Sequence, residues 1–241
     1  MVLPSSTFFF AFLGGILPAL LWLWFWLRED RLAPEPRGLI FATFCAGMVA
    51  TLVALIVESW LRFYFAVPGS ENNPSSQNLL MVTVWAAVEE IAKFGVAYFV
   101  VLRRRENDEP IDNMIYLITA ALGFAAMENA FFLIDPIQSG SLVQSLITGD
   151  LRFIGSTLLH LVSSSVIGIF MAFSFCKLPG IKRKYLLTGI ILAILLHTLF
   201  NFFIIVSDNN LFSVFGFVWT GIIALLLFFE KAKRINRSCV Y

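Results

Sequence analysis

The chain alternates between long apolar runs and short polar stretches. Seven runs approach the ~20 residues that a helix needs to cross a bilayer core. They are Thr7–Leu27, Leu39–Val67, Leu79–Leu102, Asn113–Ile134, Leu151–Cys176, Tyr185–Val206 and Leu211–Phe229. The pattern predicts an all-α, polytopic transmembrane helix bundle, one domain over residues 1–241. No soluble domain, internal repeat or low-complexity linker interrupts it. The first run resembles a signal peptide in position only: no Lys or Arg precedes it, its apolar core is too long, and no A-x-A site closes it. It is read as a membrane helix.

Basic residues give the runs a direction. Arg28, Arg31 and Arg37 follow the first run; Arg103, Arg104 and Arg105 follow the third. Lys177, Lys182, Arg183 and Lys184 follow the fifth, and Lys231, Lys233, Arg234 and Arg237 fill the tail. The stretches 68–78, 135–150 and 207–210 contain neither Lys nor Arg. The positive-inside rule then places the N-terminus outside and the C-terminus in the cytoplasm. Trp22, Trp24 and Trp26 at one end, and Trp60 and Tyr64 at the other, are expected in the interfacial belts.

Composition agrees with a membrane protein. The chain is 59% hydrophobic and 14% charged, where a soluble domain has about half and a quarter. The expected surroundings are a lipid bilayer; no nucleic-acid partner is expected. Cys45, Cys176 and Cys239 are odd in number and widely spaced, so neither a thiolate zinc site nor a disulfide framework is expected. Cys239 is third from the end, one position short of a prenylation box.

Against this background the polar residues inside the runs stand out, because ionisable groups at membrane depth are costly and mark function by default. Glu89, Glu90 and Lys93 lie in the third run, with Glu89 about 15 Å deep at 1.5 Å per residue. Glu128 and Asn129 lie in the fourth, His160 in the fifth, and His197 and Asn201 in the sixth. These depths coincide, so four helices deliver carboxylates, an amine, imidazoles and an amide to one layer between the midplane and the outer face. Glu89 and Lys93, four apart, are expected to pair; Phe124 shares a face with Glu128 and His197 with Asn201. Glu58 and Arg62 read as an interfacial ion pair, and Arg152 as a snorkelling residue.

Such a layer suits general acid–base hydrolysis: a buried carboxylate takes a proton from water, and His or Asn donors stabilise the oxyanion. Ser163, Ser164 and Ser165 lack an evident base and are not read as nucleophiles. No metal is assigned and no cofactor is expected; the alternative is zinc on His160, His197 and a Glu. Against it, there is no H-E-x-x-H. Two other classes remain. A proton-coupled transporter would use the same residues as a relay, though no repeat of the kind such transporters show is present. A structural scaffold leaves the buried charges unexplained.

Several motifs carry a resemblance. Glu89-Glu90-x-x-Lys93, then Asp108-Glu109-Pro110-x-Asp112, Tyr116, Phe124-x-x-x-Glu128-Asn129, His160 and His197-x-x-x-Asn201 together resemble the PrsW family of intramembrane proteases. The likeness covers about half of the chain, a core of about 79–206. It places the chain in a wider clan with type II CAAX prenyl endopeptidases, which have His in place of Glu128. It implies an intramembrane endopeptidase that cleaves a membrane-anchored protein, such as an anti-sigma factor, near the outer side of a bacterial membrane. By the same resemblance Glu89 would be the general base on a water, helped by Glu90 and His160. His197 and Asn201 would bind the oxyanion, Glu128 would replace the clan's His, and Lys93, Phe124 and Asn129 would support them. The clan has been described both as metalloproteases and as metal-free glutamate proteases.

Overall fold

The computed structural model describes residues 5–29, 33–65, 74–140, 155–206 and 211–235. Seven α-helices occur among them, with a π-helical turn Tyr98–Leu102 closing the third, and no strand: α1 Ser5–Glu29, α2 Arg37–Phe65, α3 Pro74–Ala97, α4 Asp112–Gln138, α5 Thr157–Phe173, α6 Pro179–Val206 and α7 Leu211–Lys233. Each coincides with one apolar run. Most run past it by a few residues, because a helix already formed in lipid continues into the polar zone at no cost in unpaired backbone. Arg152, Cys239 and the first residues of the fifth run lie outside the described residues.

Five helices, α1, α2, α4, α6 and α7, are long and apolar enough to cross a membrane. The physical reason α3 falls short is the site itself, since Glu89, Glu90 and Lys93 sit within one stretch of it. α5 is apolar but 17 residues long as described. Large apolar side chains point outward, with Phe41, Ile56 and Phe63 each at least 70% exposed. In water such a surface would aggregate; in a bilayer it is the ordinary lipid contact. The protein is an integral membrane protein.

α4 is the axis. Every residue from Ile111 to Ala126 is buried, which marks a helix packed on all sides. α1, α2 and α5 lie directly against it, while α3 packs mainly on α2 and α6. The α2–α4 contact is backbone to backbone. A Cβ at Gly47 would sit 2.1 Å from the Ala120 carbonyl oxygen, and one at Gly123 would sit 2.0 Å from that of Phe44. Only glycine allows this approach, the small-residue packing on which membrane helices rely. It brings Thr51 Oγ1 to 3.0 Å from the Phe124 carbonyl, to which it donates.

Two peripheral expectations are corrected. Trp26 is fully buried and packs on Phe229 of α7, with ring centroids 5.2 Å apart; it joins α1 to α7 rather than lying in an interfacial belt. Trp24 is exposed, with Arg28 over its ring. Cys176 is disulfide-bonded, against the expectation drawn from cysteine spacing, and Cys45 is free.

Candidate active site

Because α3 stands off from α4 and α5, its polar face looks across to them. Glu89, Glu90, Lys93, Glu128, His160 and His197 meet there from α3, α4, α5 and α6. All but Glu128 are buried; the Glu128 side chain is 20% exposed.

Glu90 is the most heavily bonded member. Its Oε1 accepts from Lys93 Nζ at 2.5 Å, from Ser163 Oγ at 2.8 Å and from His197 Nδ1 at 2.8 Å. Its Oε2 accepts from Ser164 Oγ at 2.7 Å. A carboxylate offers about four acceptor positions, so Glu90 is saturated. Lys93 Nζ also makes the expected ion pair with Glu89, 4.0 Å from its Oε2, but the Glu90–Lys93 pair is the closer. The i,i+3 offset on a helix brings two side chains together as readily as i,i+4.

The partners assign the histidine tautomers. Lys93 can only donate, so His160 Nδ1, 3.0 Å from Nζ, is an acceptor. Its Nε2–H then donates to Glu128 Oε2 at 3.0 Å, an oxygen that also accepts from Ser156 Oγ at 3.1 Å. His197 donates its Nδ1–H to Glu90, leaving the Nε2 lone pair free. Both inner nitrogens lie 3.7 Å from Glu89 Oε2, a buried oxygen with no hydrogen-bond partner. Two open acceptors, Glu89 Oε2 and His197 Nε2, thus face each other with no proton between them, beside a His160 Nδ1 that Lys93 occupies. Phe124 backs the cluster, 4.8 Å from Lys93 Nζ and 5.3 Å from the His160 ring, measured to ring centroids.

Other expected members stand apart. Asn129 is buried, but its Nδ2 donates to Thr157 Oγ1 at 2.8 Å, tying α4 to α5. Asn201 is half-buried one turn beyond His197, and no hydrogen bond joins it to the cluster. Glu58 is not paired with Arg62: its buried Oε1 has no hydrogen-bond partner, and Arg62 lies over Trp85 of α3 at 4.9 Å. Ser163, Ser164 and Ser156 were missed as members of the hydrogen-bonded layer. Their signal was present, since all three lie three or four residues from His160 and so share its helix face.

A helix bundle with clustered buried carboxylates and imidazoles and an unpartnered carboxylate oxygen fits an intramembrane hydrolase. Residues 35–229 match the family described as PrsW family intramembrane metalloprotease. The chain belongs to the PrsW family of intramembrane proteases, and it is a peptidase. Protease PrsW of Geobacillus kaustophilus is 23% identical over 231 residues, covering 95% of this chain and 92% of that protein. Protease PrsW of Oceanobacillus iheyensis is 28% identical over 233 residues (94% and 96%), and that of Clostridioides difficile is 27% identical over 198 residues (81% and 79%). No solved structure matches the chain.

The family description names a metal, and the residues fit one. Glu89, His160 and His197 offer ligand atoms within 4.8 Å of one another, the His₂Glu donor set of catalytic zinc. Both imidazoles give their outer N–H to a carboxylate, Glu128 or Glu90, as metal-bound histidines commonly do. An ion there would take His160 Nδ1 from Lys93, which keeps Glu90.

Proposed function

We propose that the protein hydrolyses a peptide bond of a membrane-anchored protein in the outer half of a bacterial cytoplasmic membrane. The bundle would have seven spans, with the N-terminus outside and the C-terminus in the cytoplasm; the alternation of basic and non-basic loops supports this orientation. Family membership supports a protease over the proton-coupled transporter. An anti-sigma factor is one substrate of this kind.

The observation that carries the mechanism is the buried Oε2 of Glu89, without a donor and 3.7 Å from two imidazole nitrogens. A water at this point can give its proton to Glu89 while His197 Nε2 holds it, the geometry of general base catalysis. Glu90 has no acceptor position left and acts as an anchor that fixes His197 and Lys93. Glu128 holds the His160 ring through Nε2–H. Asn201 would reach an oxyanion only from one turn away, so its part is to contact substrate rather than to hold the cluster. A zinc ion held by Glu89, His160 and His197 would supply a more acidic water and polarise the scissile carbonyl.

The test compares membrane proteomes of cells carrying the parent and the Glu89→Ala protein. Full-length membrane proteins that accumulate only with Glu89→Ala identify substrates. Identical proteomes at equal protein levels would overturn the reading. Zinc analysis of the purified protein separates the two roles of Glu89: stoichiometric metal that His197→Ala loses would make it a ligand, and active protein without metal would leave it the base.

A further inference from the structure

Proteolysis inside a membrane needs more than a base. A transmembrane helix holds its peptide carbonyls in its own hydrogen bonds, so the substrate must unwind before water attacks. Its freed N–H and C=O groups then need new partners, because lipid offers none. A protein that receives such a segment should keep unpartnered polar side-chain atoms beside its catalytic layer.

Two such atoms lie in the seam between α2 and α3. Glu58 Oε1 and Trp85 Nε1 are both buried, and neither has a hydrogen-bond partner. An ionised carboxylate only accepts and an indole N–H only donates. Arg62, one turn after Glu58, lies over the Trp85 ring, 4.9 Å from its centroid. This contact sets Trp85 against the stretch of α2 that carries Glu58.

Helix register puts both residues next to the catalytic layer. Trp85 is four residues before Glu89, on the same face of α3 and about 6 Å nearer its start. α2 and α4 run in the same direction, since Gly47 meets Ala120 and Thr51 donates to the Phe124 carbonyl. Ala54 clusters with Phe124. Glu58 follows Ala54 by one turn, as Glu128 follows Phe124, so Glu58 rises beside Glu128. Towards the basic end of the bundle the same seam is apolar, with Ala50 and Ala54 packed near Phe124, Val88 and Ala92. The unmatched polar atoms begin where that packing stops.

We propose that this seam receives the unwound backbone of the substrate on the outer side of the scissile bond. Glu58 accepts a backbone N–H, and Trp85 donates to a backbone C=O. The exposed side chain of Arg62 covers Trp85 in the free protein and moves aside with the loss of one cation–π contact. The occupant is an extended or Gly/Pro-broken stretch of a membrane-anchored polypeptide. An intact helix does not suit the seam, because its N–H and C=O groups are already paired. This role rests on the cleavage site proposed above and adds two substrate contacts outside the catalytic cluster.

The full-length protein carrying Glu89→Ala, which holds a probe uncleaved, is reconstituted in liposomes of phosphatidylethanolamine and phosphatidylglycerol. It is titrated with two synthetic transmembrane peptides of about 20 residues. One is Leu and Ala throughout; the other carries Gly-Pro-Gly within one half. The broken peptide should bind about tenfold more tightly than the intact one. Adding Glu58→Leu or Trp85→Phe should each remove that advantage. Glu58→Gln, which keeps a carbonyl acceptor, should retain most of it. None of the three should lower the melting temperature, because neither atom has a partner to lose. Equal binding of the two peptides would overturn the proposal, as would a preference that survives both Glu58→Leu and Trp85→Phe. A lower melting temperature in both variants would make the two atoms parts of a water-bridged structural contact and would overturn it too. With Glu89 restored, a retained preference without cleavage of any membrane protein would defeat the proposed function and support the seam as a binding site. Cleavage without the preference would do the reverse.

Discussion

Glu90 and Asp112 are both fully buried carboxylates, and they solve that problem in opposite ways. Asp112 takes its donors from the backbone three and four residues earlier, within one loop. Glu90 takes its donors from three helices, and His197 is 107 residues away. A local donor is available as soon as the loop forms. The Glu90 set exists only when α3, α5 and α6 have all docked, so every part of it is ordered at entropic cost. The layer then leaves Glu89 Oε2 without a donor and facing the free Nε2 lone pair of His197, although buried polar groups are normally satisfied. The loop holds the chain together; the layer keeps an acceptor open where a reacting water would sit.

The largest effect should come from removing the charge that compensates Glu90. Lys93→Met leaves a buried carboxylate without its cation, and breaking such a pair costs about 3–5 kcal/mol. Thermal unfolding of the purified protein in detergent should show the loss. Glu89→Gln gives the opposite result. It should leave the unfolding temperature close to that of the parent, because Glu89 Oε2 has no donor to lose. Cleavage of an accumulated substrate should fall roughly 10²–10⁴-fold, as expected for a general base. A stable, fully active Glu89→Gln protein would remove the distinction between anchor and base.

The serines sharpen the same contrast at smaller scale. Ser163→Ala and Ser164→Ala each delete one hydrogen bond to the Glu90 carboxylate, worth about 1.5–3 kcal/mol for a charged acceptor. His197 would then be held less firmly, so activity should fall with stability. Thermal melts and cleavage rates measured on the same preparations check this. Loss of activity at unchanged stability would instead make these hydroxyls substrate contacts.

How much of this was legible in the sequence follows from what an apolar helix encodes. Position along a helix is depth, and depth is fixed by the rise per residue and the bilayer thickness. The seven helices and the meeting of Glu89, Glu90, Lys93, Glu128, His160 and His197 at one level could therefore be read in advance. Rotation about the helix axis could not, because neighbours set it, as the Gly47–Ala120 and Gly123–Phe44 contacts do for α2. Each miss is a rotational one. Arg62 turns to Trp85 rather than Glu58, and Trp26 inward to Phe229, while Lys93 keeps the expected ion pair with Glu89 and adds a closer one to Glu90. Asn201 sits at the right depth and outside the hydrogen-bonded cluster.

The smallest predicted effect tests the loop side of the comparison. Tyr116 is buried in α4, and its hydroxyl donates to Glu35 of the α1–α2 connection. Tyr116→Phe keeps the ring and removes one donor to a half-buried carboxylate, at a cost of about 1 kcal/mol. Asp112 keeps its two backbone donors, so the start of α4 and the depth of Glu128 should not move. Cleavage should therefore match the parent while the melting temperature falls by a few degrees, about 2–4 °C for a chain of this size. A large loss of cleavage at that small stability cost would show that the connection between α1 and α2 communicates with the catalytic layer through α4. The loop and the layer would then be one device rather than two.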